Sequence, residues 1–351
     1  MDKKNIKAVG IVSGGLDSIL AVRILSRLNV DVTALHFQMK LHNPLEKAGI
    51  TQGIDDNLGK KSFWHLVTEC GAKLEFLEMG RDYLTEVLHN PPHGYGKNVN
   101  PCIDCHLWML KKAREKMIEY EADFVFSGEV LGQRPMSQLL PQLTLIAKQS
   151  GLGDRLLRPL SANLLPDTFP VKEGLIDKSQ LYNISGRSRQ RQMRLASELG
   201  MSEYPSSGGG CAFTDPNFSK KVKELWSFEE KENLDWQDYI FLRVGRHLRI
   251  DDNLKLIVGR NERENIYLER FKKDRIRIEV CDYPGPTVLI DREAENVSKG
   301  DILIGCRIAA RYSDAKEIET DVNVNVLKKG FDEIYSVMPF KAEEVAEWVI
   351  S

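Results

Sequence analysis

Ser13-Gly14-Gly15-Leu16-Asp17-Ser18 decides the reading of this chain, because a strand, a turn and a helix meet in it. The apolar run Ile6 to Val12 before it has the length and composition of a buried strand. Leu16, Leu20, Ile24 and Leu28, spaced four apart, predict a helix after it. Glycines let the backbone pass close to an anion, successive N–H groups form a concave nest, and the helix start adds its positive dipole end. Phosphate oxygens suit that geometry. No lysine stands where a Walker loop would place one. The plain alternative is a strand-to-helix turn capped by Asp17 or Ser18.

As a whole string, SGGLDS resembles the pyrophosphate-binding loop of the PP-loop ATP pyrophosphatases, which cleave ATP to AMP and pyrophosphate and so adenylate a substrate oxygen. The resemblance implies that Ser13, Gly14, Gly15 and Ser18 cradle the ATP phosphates, and that Asp17 holds Mg2+ or orients the loop.

The chain has 351 residues, enough for two or three domains with a sizeable core. With 49 basic and 51 acidic side chains it is nearly neutral, so an RNA surface must come from local clustering. Six cysteines in so long a chain do not form the pattern of a secreted disulfide framework, and no signal peptide is evident. No apolar segment is long enough to span a bilayer. The expectation is a cytoplasmic protein without membrane partners, its thiols available for chemistry.

Strand and helix patterns alternate through the first part of the chain: a strand over Val30 to Phe37, a helix over roughly Lys60 to Cys70, a strand at Leu74 to Leu77, a helix over Arg81 to Leu88 and a strand at Asp123 to Phe126. This argues for an α/β, doubly wound parallel sheet. The resemblance makes it one of the adenine nucleotide α-hydrolase (PP-loop) type, expected over residues 1–228. His36, at the end of the second strand, reads as structural rather than as an adenine contact. After a charged boundary at Glu229 to Asn233, a smaller α+β domain is expected over residues 236–351. Its predicted strands are Tyr239 to Ile250, Lys255 to Val258, Arg275 to Val280, Thr287 to Ile290 and Ile302 to Arg311. Its predicted helices are Asn261 to Phe271 and Ala342 to Ile350.

A loop rich in helix breakers, His89 to Pro101, delivers Cys102 and Cys105 to the start of a helical stretch, Leu107 to Glu119. A helix N-terminus favours thiolate, the form that attacks as a nucleophile and binds metals. A third cysteine, Cys211, sits on the glycine loop Ser206 to Asp215, whose glycines permit close approach to a partner. Cys70, Cys281 and Cys306 fall in helical or strand-like apolar patterns and read as structural.

Further motifs narrow the resemblance. Ser127-Gly128-Glu129, then Leu131-Gly132-Gln133 and Ser137-Gln138, resemble the catalytic domain of tRNA 4-thiouridine synthetases. Asn100-Pro101-Cys102-Ile103-Asp104-Cys105 resembles the NPCxxC element of bacterial tRNA 2-thiouridylases. Arg158-Pro159-Leu160 is similar to a short element of the same families. The small Ser127 and Gly128 suit a nucleotide approaching the strand end, with Gln133 as a further cofactor contact. The basic segment with Arg187, Arg189, Arg191 and Arg194 suits phosphates of RNA, or else is a solvated face. In the last domain, Val258-Gly259-Arg260-Asn261, with Asn265, and the turn Asp282-Tyr283-Pro284-Gly285 resemble the RNA-binding module of NFACT proteins. A local basic cluster accompanies them: Arg260, Arg263, Arg270, Lys272, Lys273, Arg275 and Arg277.

Together the resemblances imply ATP-dependent thiolation of a tRNA uridine, with tRNA and a sulfur donor (sulfide, or the persulfide of a cysteine desulfurase) as partners. Asp17, Cys102, Cys105 and Cys211 are the expected catalytic residues. The three cysteines would hold a 4Fe-4S cluster whose fourth iron lacks a protein ligand. A persulfide route through the same cysteines is the alternative, and zinc with His93 or His106 as fourth ligand is another. A PP-loop ligase or amidotransferase that adenylates a carboxylate, and an RNA- or ribosome-binding protein with an inactive loop, are the competing classes.

Overall fold

Ile6–Ile11 forms strand β1 at the centre of a five-stranded sheet with β2 (Val30–Gln38), β3 (Lys73–Glu78), β4 (Phe124–Ser127) and β5 (Leu156–Leu157). These elements belong to a computed structural model that describes residues 5–41, 63–201, 204, 211–271, 275–328 and 330–350. All four pairings are parallel, in the order β3-β2-β1-β4-β5. Successive residues of a strand face opposite sides, and here both sides are covered. Ala8, Phe124 and Phe126 pack with Ile19, Leu20 and Val22 of the Leu16–Arg27 helix. Val9, Leu35 and Val125 pack with Leu107, Leu110 and Ala113 of the Cys102–Glu119 helix. That is why the strands read as continuous apolar runs. The expected doubly wound α/β sheet is present, and its strand order reverses between β1 and β4. Ligands of such sheets bind in the crevice at the carboxyl ends of the strands flanking that reversal.

Two compact units make up the chain: Met1–Lys40 with Asp55–Cys211, and Leu41–Ile54 with Ala212–Ser351. The second carries an antiparallel sheet of β6 (Arg246–Arg249), β7 (Lys255–Val258), β8 (Arg275–Val280), β9 (Val288–Glu293), β10 (Val322–Lys328) and β11 (Phe331–Val337). Their order is β11-β10-β8-β9-β7-β6. Cys306, Ala309 and Ala310 of the Lys299–Arg311 helix pack on Ile278, Val288, Val324 and Val326.

The fold corrects several expectations for this unit. Ile302 to Arg311 is helix rather than strand, opened by a capping box in which Ser298 and Asp301 satisfy each other's backbone N–H groups. Tyr239 lies in the Trp236–Phe241 helix, not in a strand. Strands β10 and β11 were not anticipated, although Val322, Val324 and Val326 alternate with polar residues. The Pro216–Phe228 helix belongs to the second unit, so the division follows Cys211 instead of falling at 229–233. Charge ties it there: Glu224 Oε2 accepts from buried Lys255 Nζ at 2.8 Å, and Glu224 Oε1 from Arg249 Nε at 2.7 Å. In the first unit, the stretch expected to be a helix at Arg81 to Leu88 begins as α-helix over Arg81–Tyr83 and continues as a π-helix over Leu84–His89. Among the described residues, no helix is long and apolar enough to cross a membrane.

Candidate active site

At the carboxyl end of β1 the chain turns through Gly14, whose φ of 82° is the left-handed region open to glycine. Gly15 then opens the Leu16–Arg27 helix in extended conformation, with no side chain capping it. Ser18 Oγ instead donates to the Gly15 carbonyl at 2.8 Å, and Ser13 Oγ accepts the Gly15 N–H at 3.4 Å. Asp17, in the first turn of the helix, does not cap it. Its Oδ2 accepts from Gln133 Nε2 at 2.8 Å and from Arg189 Nη2 at 3.4 Å. Its Oδ1 is buried without a hydrogen-bond partner among the described residues. The side-chain-capped turn is thus not the one built. The helix start keeps its N–H groups for an anion, and the unpartnered oxygen suits a hard cation such as Mg2+.

The segment after β4 is tied to its neighbours by close contacts. Ser127 Oγ donates to Glu129 Oε2 at 3.0 Å. A Cβ on Gly128 would lie 2.6 Å from Ser18 N and Cα, so the close approach that Gly128 permits is that of the helix start. Gln133 reaches Asp17. Gly128 and Gln133 thus hold the loop at Ser18 and Asp17. His36 donates Nδ1–H to the Val12 carbonyl at 2.8 Å, in keeping with a structural role.

Cys102 is the first residue of the Cys102–Glu119 helix. Burial works to raise its thiol pKa, but the hydrogen bond and charge of His106, with Ser137 and Arg134 nearby, bring it below the ordinary value of 9.0. His106 shows the complement. Burial disfavours its charge, yet Cys102 and Glu129 raise it from 6.5 to about 10. Each group thus favours the charged form of the other. Behind it, His106 Nδ1 donates to Glu129 Oε1 at 2.8 Å, and Arg158 Nε donates to Glu129 Oε2 at 2.8 Å. Burial opposes the Glu129 charge too, but Arg158 and then His106 hold the carboxyl well below the usual range. Sequence reasoning missed this relay, although Glu129 and Arg158 lie in two of the motifs quoted above.

Cys105 faces Tyr83. Burial pushes its thiol up to about 12 against the Tyr83 hydrogen bond, with Cys211, Cys102 and Asp104 adding to the rise. The three candidate cysteines are thus electrostatic neighbours in one unit, and no cysteine is in a disulfide. Among the described residues, however, no three His, Cys, Asp or Glu side chains converge as a metal site. Thiols are the donors an iron–sulfur cluster takes, but these three do not converge as a ligand set. Residues 205–210 of the glycine loop lie outside the described residues, as do Lys272 and Lys273. Of the two histidines considered for zinc, His106 bonds Glu129 through Nδ1, and His93 Nδ1 bonds Asp104 Oδ1 at 2.7 Å.

In the second unit the resemblance motifs build structure. A Cβ on Gly259 would lie 2.0 Å from Asn265 Oδ1, the atom that accepts the Thr287 N–H at 3.1 Å. Asn261 caps the Glu262–Leu268 helix. Arg260 pairs with Glu264, Arg275 with Asp291, and Arg277 with Glu269 and Glu279. Arg263 and Arg270 are exposed, as are Asp282 to Gly285.

Residues 4–163 match the family model described as thiamine biosynthesis protein (ThiI), and residues 245–349 that of the NFACT protein RNA binding domain. No curated protein matches the chain. Among solved structures it is similar to the C-terminal part of a fibronectin/fibrinogen-binding protein from Streptococcus suis, at 15% identity over 70% of this chain and 96% of that one, with a TM-score of 0.26. It is also similar to a predicted subunit of tRNA methyltransferase from Methanocaldococcus jannaschii, at 14% identity over 55% and 76%, with a TM-score of 0.30. A third is NMN synthetase from Francisella tularensis, at 10% identity over 59% and 91%, with a TM-score of 0.26. The chain therefore joins a segment that matches the ThiI family model, residues 4–163, to one that matches the NFACT RNA-binding-domain model, residues 245–349.

Proposed function

We propose that this protein is an ATP-dependent tRNA sulfurtransferase that adenylates a uridine carbonyl oxygen and replaces it with sulfur. One observation carries the reading. The short segment from Gly128 to Ser137 touches both halves of the site: Gly128 and Gln133 meet the loop at Asp17 and Ser18, while Glu129, Arg134 and Ser137 surround His106 and Cys102. An activating loop and a sulfur-handling thiol share one wall.

The loop Ser13–Ser18 binds the ATP phosphates and Asp17 takes Mg2+. Attack of the uridine oxygen on the α-phosphorus forms an O–P bond, and pyrophosphate departs with the electron pair of the broken bond. Catalysis there is positioning and charge stabilisation. A sulfur nucleophile then attacks the base carbon, and AMP leaves with the former carbonyl oxygen. Cys102, Cys105 and Cys211 would hold a 4Fe-4S cluster, which supplies an iron open to sulfide. The NFACT-type module binds tRNA.

The Cys102–His106 pair favours a second route. A persulfide on Cys102 attacks the base, and Cys105 or Cys211 then attacks the Cys102 sulfur. Thiouridine is released, and the disulfide left behind is reduced by an external thiol. Anaerobic purification with iron and labile-sulfide analysis separates the routes: colourless protein that cannot be reconstituted, yet turns over with a persulfide donor, removes the cluster. Mass spectrometry of tRNA nucleosides treated with the protein, ATP and a sulfur source should show a new thionucleoside. Adenylation of a carboxylate with no thionucleoside formed would overturn the thiolation reading.

A further inference from the structure

The segment Ser185–Arg189 is docked on the loop that reaches Asp17. Gly186 N–H donates to the Leu131 carbonyl at 2.8 Å, and Leu131 and Ser185 form an isolated parallel bridge. Gly132 and Gly186 face each other: a Cβ on Gly132 would come to 3.5 Å from Gly186 N. This docking delivers Arg189 to Asp17, beside the start of the Leu16–Arg27 helix.

A guanidinium is out of place there. A helix N-terminus carries positive partial charge, so a cation beside it is disfavoured unless an anion lies between them. Asp17 is the anion on hand, but its Oδ2 already accepts from Gln133 at 2.8 Å and holds Arg189 only at 3.4 Å. Charge-assisted pairs normally close to about 2.7–2.9 Å. Arg189 is also one-third exposed, so it is free to re-aim. A second anion in the nest would satisfy both the helix start and the fork of the guanidinium, which matches phosphate oxygens.

We propose that Arg189 is a pyrophosphate-binding residue of the ATP site: it leaves Asp17 when Mg2+-ATP enters and binds the β- and γ-phosphates, steadying the pyrophosphate as it departs. Arg189 then belongs to the activating half of the site rather than to an RNA-facing surface with Arg187, Arg191 and Arg194. The assignment rests on the ATP reading of Ser13–Ser18.

Calorimetric titration of the full-length protein with α,β-methylene-ATP and with AMP, both with Mg2+, tests it. Arg189→Ala should weaken binding of the ATP analogue by about 10- to 100-fold, the worth of a charge-assisted hydrogen bond, and leave AMP binding within about twofold. Arg189→Lys should recover part of the loss. Arg194→Ala, at an exposed residue of the Gln190–Glu198 helix that follows, should bind the analogue like wild type. An Arg189→Ala protein that binds the analogue like wild type, or that loses analogue and AMP equally, would overturn the assignment. Wild type that fails to bind the analogue would overturn the ATP reading itself and this assignment with it.

Discussion

Gly128→Ala tests whether the two halves of the site are braced against each other. The new methyl would lie 2.6 Å from Ser18 N and Cα and 2.7 Å from the Asp17 carbonyl carbon, where ordinary contact begins at 3.4 Å. The obstructing atoms are backbone, in the first turn of a helix whose buried face is locked into the core, so no side chain can swing aside. Helix start and strand end must separate by about 0.8 Å, and overpacking of this kind costs about 1–3 kcal/mol. The displaced atoms belong to the proposed phosphate nest, and a misplacement near 1 Å costs on the order of 100-fold in rate. Urea denaturation should show the lower stability, and α,β-methylene-ATP titration the weakened binding. Gly15→Ala is the comparison. A Cβ there meets only Ser13 Oγ, at 3.6 Å, so stability should hold while the methyl obstructs the phosphates. Gly128→Ala with wild-type midpoint and affinity would refute the bracing argument.

Three further outcomes follow from the buried charges and the second unit. Glu129→Gln leaves buried Arg158 without its anion and should cost about 3–5 kcal/mol in denaturant unfolding. The wild-type carboxylate contributes fully above its ordinary value of 4.5 and loses that contribution as pH falls through its depressed value, so the acid-side slope of stability should shrink in the variant. His106 has the opposite sign: raised from 6.5 to about 10, its charge stabilises fully below 6.5, and the contribution fades as pH rises through about 10. In His106→Gln that alkaline decline should vanish, and iodoacetamide labelling of Cys102 at neutral pH, followed by peptide mass spectrometry, should slow by about tenfold as the thiol loses its cation. Asn265→Ala strips the acceptor from the Thr287 N–H and should destabilise the second unit by about 1–3 kcal/mol in thermal unfolding; unchanged unfolding would show that the amide finds another acceptor.

The glycine loop between strand and helix, the parallel sheet around it and the placement of Cys102 at a helix start were all legible in the sequence, because each depends on neighbours along the chain. A strand buried on both faces is a continuous apolar run, a nest needs adjacent glycines, and a helix start follows a breaker-rich loop. The same local logic misread Ile302 to Arg311, where the apolar run alone does not distinguish strand from helix, although Ser298 and Asp301 carried the capping signal. Tertiary structure alone decided what the motif residues do. Gly128 and Gln133 brace the helix start and Asp17, while Glu129 joins Arg158, 29 residues after it, to His106, 23 residues before it, behind Cys102. Arg189 meets Asp17 across 172. Charge pairs and close backbone contacts between distant segments leave no periodicity in a sequence, and only folding the chain brings their partners together.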